Sequence, residues 1–199
     1  MKAFLLHSIT EESVSVGKVN MNRRRFVKLG ALTTVGALCP VSLFAEFNRL
    51  LLPTRHLSIF HIHTEERLDI TYCNQGQYSQ EALTKINHIL RDHYNGEVKP
   101  IDVPLIDFLS AIAMKLEISS PFHIISGYRS PTTNGMLRKR GRNVARNSLH
   151  MQGKAVDISL PGCDLLSLRQ TALDLNGGGV GYYPYRNFIH VDTGRVRFW

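Results

Sequence analysis

Apolar and polar positions follow two rhythms in the chain after about residue 57. From Leu57 to Tyr72 the apolar residues alternate loosely, first Leu57, Ile59 and Ile62 and then Leu68, Ile70 and Tyr72, on either side of the polar Thr64-Glu65-Glu66. A period of two interrupted by a polar turn predicts a pair of β-strands. At Ser79 the period lengthens. Ser79-Gln80-Glu81-Ala82 opens a helix with a hydroxyl cap, and Leu83, Ile86, Ile89 and Leu90 continue it to about Tyr94, where Asn95-Gly96 supplies a stop. A second helix is predicted over 103–117, with Leu105, Phe108, Leu109, Ile112 and Leu116 on one stripe.

Beyond residue 120 the elements shorten. Strands are predicted at about 122–126, 154–160, 179–183 and 187–193, and helices near 132–141 and 164–175. This order gives an α+β class: a small, largely antiparallel sheet with flanking helices, whose loops gather a site at one face of the sheet. A length of 199 residues suits one domain with a full core. At 43% hydrophobic and 20% charged, the composition excludes disordered and fibrous classes.

The N-terminal region reads differently. Asn22-Arg23-Arg24-Arg25-Phe26-Val27-Lys28, followed by a mildly apolar run to Ala45, resembles a twin-arginine export signal over residues 21–45. The run is too short and too rich in Gly and Thr for a convincing membrane span, so no stable span is expected after cleavage; an uncleaved anchor is the alternative. Met21 stands directly before this segment, so residues 1–20 read as an upstream extension outside the fold. The expected location is periplasmic, with the twin-arginine export machinery as a partner. Cys73 and Cys163 carry no predicted pairing.

The net charge of +8 lies partly in the signal and otherwise in Arg138, Lys139, Arg140, Arg142 and Arg146. Such a cluster fits an acidic partner or a solvated loop. Export and the lack of interleaved aromatics argue against nucleic acid.

The chemistry concentrates in Ser148-Leu149-His150-Met151-Gln152-Gly153-Lys154-Ala155-Val156-Asp157. His and Asp both ligate first-row metals, yet seven extended residues would hold them roughly 23 Å apart. Gly153 can fold the chain back between them. In the strand that follows, Val156, Ile158 and Leu160 alternate with Ala155, Asp157 and Ser159, which turns Asp157 to the open face. The same parity in Phe188-Ile189-His190-Val191-Asp192 puts Phe188, His190 and Asp192 on one face, so His190 can join His150 and Asp157.

Ser-x-His-x-x-Gly-x-Ala-x-Asp at 148–157, the later His190 and the upstream Ser126-Gly127-Tyr128-Arg129-Ser130 together resemble the D-Ala-D-Ala-type zinc peptidases, and within them the exported murein endopeptidases. The resemblance implies a hedgehog/D-Ala-D-Ala-peptidase-like fold over 57–199. It also implies Zn2+ held by His150, Asp157 and His190, and peptidoglycan stem peptides and cross-links as substrate. Two His and one Asp would also accept other divalent metals. Arg129 matches the family arginine that supports the substrate carbonyl, with a structural ion pair as its other reading. Ser148 and Gln152 either bind substrate or cap the loop. Relatives commonly carry a carboxylate three residues before the last histidine, where this chain has Asn187. Asp192 is the nearest carboxylate on the right face, as general base or as the group that orients His190. A wall-binding module that keeps the fold without turnover is the alternative function. His61, His63 and His123 are assigned structural roles, Gly177-Gly178-Gly179 a turn that lets backbone come close to the site, and Tyr182, Tyr183 and Tyr185 either a peptide groove or the core.

Overall fold

The computed structural model describes residues 54–141 and 144–199. The N-terminal extension and the signal segment over 21–45 lie outside the described residues. Among the described residues, no helix is long and apolar enough to cross a membrane.

The alternating segment forms β1 (Arg55–His61) and β2 (Arg67–Asn74), antiparallel with Leu57 opposite Ile70 and Ile59 opposite Leu68. β3 (Gln77–Tyr78) extends the hairpin by two residues. Ser79 caps α1 (Gln80–Ile89), its hydroxyl accepting from the Ala82 amide at 3.2 Å. This helix stops earlier than its apolar spacing predicts. The chain folds instead around Asp92, whose carboxylate accepts from the amides of Tyr94 and Ser130, while the Leu90 carbonyl accepts from the amide of Tyr128. The end of α1 is thus committed to holding the Ser-Gly-Tyr-Arg segment. α2 (Val103–Lys115) buries Leu105, Phe108, Leu109 and Ile112 as its stripe requires.

β4 (Phe122–Ser126), α3 (Pro131–Lys139), β5 (Ala155–Ser159), α4 (Leu165–Asp174), β6 (Gly179–Tyr183), β7 (Phe188–Asp192) and β8 (Arg197–Phe198) complete the chain. The eight strands lie in the order β3-β2-β1-β4-β5-β7-β6-β8. The sheet is mixed rather than purely antiparallel, because β4 runs parallel to β1 and β8 parallel to β6. α1 and α2 intervene between β2 and β4, which supplies the crossover that a parallel neighbour needs.

One sheet face is packed under helices. Leu57, Ile59, Ile124, Val156, Ile158, Val180, Ile189 and Val191 join Ile86, Leu105, Ile112, Leu168 and Ala172 in a continuous core. The alternate residues of β5 and β7, Ala155 and Asp157 with Phe188, His190 and Asp192, belong to the other face. That face is not open to solvent as the alternation alone predicts. Asp157 is 8% exposed, because the 127–130 segment and the turn carrying His150 close over it.

Candidate metal centre and cleft

A single 3-10 turn, Leu149–Gln152, followed by Gly153 at φ 69°, reverses the chain between Ser148 and β5. The left-handed backbone favours glycine, and any side chain here would also run into the Pro100 carbonyl. The reversal brings His150 Nε2 to 3.3 Å from Asp157 Oδ1. Strand register supplies the third group: Asp157 pairs with His190, whose Nδ1 lies 2.9 Å from Asp157 Oδ1 and 3.2 Å from His150 Nε2.

The remaining ring nitrogens point to acceptors. His150 Nδ1 is 2.8 Å from the Gly127 carbonyl, and His190 Nε2 is 3.0 Å from Asp192 Oδ2. Each ring donates its proton outward, which leaves two lone pairs and a carboxylate oxygen converging on one point. Such a set can hold a cation at its centre. Tetrahedral zinc with bonds of 2.0–2.2 Å holds its ligand atoms about 3.3 Å apart, close to the 2.9–3.3 Å edges of this triangle. The donor set therefore fits zinc.

The charges respond to this crowding. Burial lowers the His150 pKa, opposed by Asp157. Burial also acts against protonation of His190, but hydrogen bonds to Asp157 and Asp192 outweigh it and push His190 up to about 9. For Asp157, burial would raise the pKa, yet His150 and His190 hold it well below the usual carboxylate range.

Asp192 has no accessible surface. Oδ1 accepts from the amides of Gly179 and Gly194 and from Arg197, and Oδ2 accepts from Arg197 at 2.7 Å and from His190. Burial would raise its pKa, but His190 and Arg197 bring it well below the ordinary value. Both oxygens are fully engaged, and no water can reach them. The glycines expected to form a turn at 177–179 instead lead from the turn at Leu175–Asn176 into β6, and they permit this close approach: a side chain at Gly179 would strike the Arg197 guanidinium and Asp192.

Arg129, also buried, donates to Ser126 Oγ at 3.1 Å and stands 3.7 Å from Asp157 Oδ2, the oxygen turned away from the histidines. Burial lowers its pKa, against the pull of Asp157. In front of these groups opens a cleft of about 650 Å³, lined among others by Ser148, Tyr183, Phe188 and Trp199. Among the side chains of the described lining residues, that of Asp157 is the one carboxylate. Ser148 makes no capping bond with its side chain, and Gln152 is exposed and outside the lining. Asn187 is an exposed residue at φ 53° that ends a short turn, also outside the lining.

The tyrosines divide by parity. Tyr182 packs against the core with Arg169 over its ring, Tyr183 stacks on Phe188 in the cleft, and Tyr185 is fully exposed at its edge. His61, His63 and His93 form a separate ring cluster, in which His61 Nε2 is buried without a partner. His123 packs edge-on against Phe60. Two cleft residues, Arg197 and Trp199, escape a reading by motif. Their signal lies in what surrounds them: Asp192 is a buried acid that takes a cation, and the sole tryptophan, directly after β8, lies over Gly181 of β6.

Residues 51–199 match the family model described as the peptidoglycan L,D-endopeptidase MepK, of the peptidase M15 type. The chain is 40% identical over 182 residues to the peptidoglycan L,D-endopeptidase MepK of Escherichia coli strain K12, covering 92% of this chain and 99% of that protein. It is 36% identical over 182 residues to a probable peptidoglycan L,D-endopeptidase MepK of Haemophilus influenzae, covering 91% and 97%.

Proposed function

The chain belongs to the family of the peptidoglycan L,D-endopeptidase MepK, and from that premise we propose that it is a zinc-dependent hydrolase cleaving an L,D peptide bond in peptidoglycan cross-links. The observation that carries the zinc requirement is the convergence of His150 Nε2, His190 Nδ1 and Asp157 Oδ1, with both imidazole protons committed elsewhere. When bound there, zinc supplies Lewis acidity to a peptide carbonyl and to water.

The protein groups divide the remaining work. The Gly127 carbonyl and Asp192 fix the tautomers of His150 and His190, so each presents a lone pair to the metal without rearranging. The saturated bonding of Asp192 supports this orienting role over that of a general base. Arg129 keeps a fixed positive charge beside Asp157, where a substrate carbonyl gains negative charge as it is attacked. Ser148 lies in the cleft wall, within reach of a bound peptide.

Peptidoglycan lies outside the cytoplasmic membrane, which agrees with export through the segment at 21–45 and a periplasmic site of action. The exposed Arg138, Lys139, Arg140 and Arg146 flank the cleft wall formed by Val144, Ala145 and Asn147, and among the described residues they have no carboxylate partner. This rim would attract the acidic stem peptides.

The test is mass-spectrometric analysis of cell-wall peptides incubated with zinc-loaded wild type and with His150→Ala. Zinc-dependent cleavage at an L,D bond, lost in the variant, is the expected result. Intact substrate after incubation with folded, zinc-loaded wild type would turn the reading to a wall-binding module.

A further inference from the structure

Beside the metal ligands, β6 carries a second arrangement. Gly181 stands opposite His190 and Tyr183 opposite Phe188, so Gly181 and Tyr183 share the face of the metal ligands. Gly181 leaves that face bare, and the indole of Trp199 fills the space: a Cβ at 181 would come within 2.6 Å of the indole Cε2. Trp199 is held there by its backbone, its amide donating to the Val180 carbonyl and its carbonyl accepting from the Tyr182 amide. The indole ring lies 5.4 Å from the His190 ring, and the Arg197 guanidinium sits over it at 4.9 Å.

The indole N–H donates to the Tyr183 hydroxyl at 2.9 Å, and the Tyr183 ring stacks on Phe188 with centroids 4.7 Å apart. Both ends of the phenol are therefore fixed. A hydroxyl that accepts from Trp199 must send its own hydrogen elsewhere, and among the described residues no protein acceptor takes it. The side chains around this hydroxyl in the cleft include the cations Arg129, Arg186 and Arg197 and one carboxylate, the ligand Asp157, so the role of acceptor for the phenolic hydrogen suits a group that enters the cleft.

We infer that Tyr183 contacts substrate, donating its hydroxyl hydrogen to a backbone carbonyl of the bound peptide, and that Trp199 is the positioning residue that orients this hydroxyl. The inference rests on the peptidase reading for the identity of the ligand. A neutral O–H suits a neutral carbonyl, and leaves the developing charge to Arg129 and the metal.

The experiment compares Tyr183→Phe, Trp199→Phe and the double variant with wild type. It measures zinc content, kcat/KM on isolated cross-linked stem peptides, and calorimetric affinity of the zinc-free protein for the same peptides. Tyr183→Phe should lower both kcat/KM and affinity about three- to tenfold, the worth of one neutral hydrogen bond, with zinc content unchanged. Trp199→Phe keeps a ring and loses the N–H; since Trp199 is 47% exposed, the variant folds. It should cost less than Tyr183→Phe alone and nothing further in the Tyr183→Phe background. Wild-type kinetics and affinity in Tyr183→Phe would overturn the substrate contact. Losses that multiply in the double variant would overturn positioning and leave Trp199 a packing residue. If wild type cleaves nothing but binds peptides with an affinity that depends on Tyr183, this inference stands while the peptidase reading falls.

Discussion

Asp192 shows how much of the centre is arranged behind the metal ligands. Its two oxygens hold His190, Arg197 and two backbone amides, so replacing it affects ring orientation before any step of chemistry. Asp192→Asn should weaken zinc binding about 10–100-fold while the protein stays folded, measured by titration against a competing chelator. His61 offers a second test on a single ring. Burial lowers its pKa to about 4, and the neighbouring His93 and His63 add to the effect; His93 is likewise lowered to about 4, chiefly by burial. A histidine whose folded pKa is lowered contributes stability above its unfolded value near 6.5, and that stability is lost as pH falls toward 4. The melting temperature should therefore fall between pH 6.5 and 4. Glu66 and Arg91 also face this ring, with opposing effects, and stay in place in the variant. His61→Leu should lessen the fall and leave the share that His93 contributes; it gives up the bond that Nδ1 accepts from the His63 amide, while Nε2 has no partner to lose. At this scale the sequence is most informative where parity and a turn glycine work together, as for His150, Asp157 and His190. It is silent on Tyr183 and Trp199, whose meeting depends on which strands become neighbours.

Among the elements, strands with clear alternation are legible almost to the residue: 122–126 and 179–183 are the spans of β4 and β6. α1 is overextended by its periodicity because Leu90 and Asp92 leave the helix to bond the segment at 128–130, a demand imposed by chain far away in sequence. The two-residue strands β3 and β8 have no periodicity to detect, and the parallel pairing of β1 with β4 follows from the crossover rather than from any local pattern. Gly181 ties β6 to the C-terminal strand. A methyl group at this position would displace the indole, so Gly181→Ala should shift the emission of the single tryptophan to longer wavelength and lower kcat/KM, by no more than Tyr183→Phe does if the loss runs through the Tyr183 hydroxyl. Fluorescence spectra of the purified variant provide the check.

Taken whole, the domain separates its labours across the sheet, with α1, α2, α4 and the core on one face and the cleft on the other. The α+β class is readable from the order of elements; the strand order is not, because hydrophobic patterns do not record which edges meet. The basic rim acts at longer range than the cleft. Changing Arg138, Lys139 and Arg140 together to Ser should raise KM several-fold at low ionic strength with little change in kcat, and the difference should shrink near 0.5 M salt, where screening shortens the reach of charge to a few ångströms. Kinetics on acidic stem peptides across a salt series would show it. At its two margins the sheet ends in β3 and β8, each only two residues long. Extended peptides readily add to a long free strand edge, and an abundant mesh of them would then coat the protein without being processed. At one margin the short β8 leaves such a peptide little to join, but at the other β3 pairs only with Cys73 and Asn74, and the outer edge of β2 from Arg67 to Thr71 has no strand neighbour among the described residues. The mesh around the enzyme therefore meets a strand edge as well as the cleft, and the groups proposed to cut lie in the cleft alone.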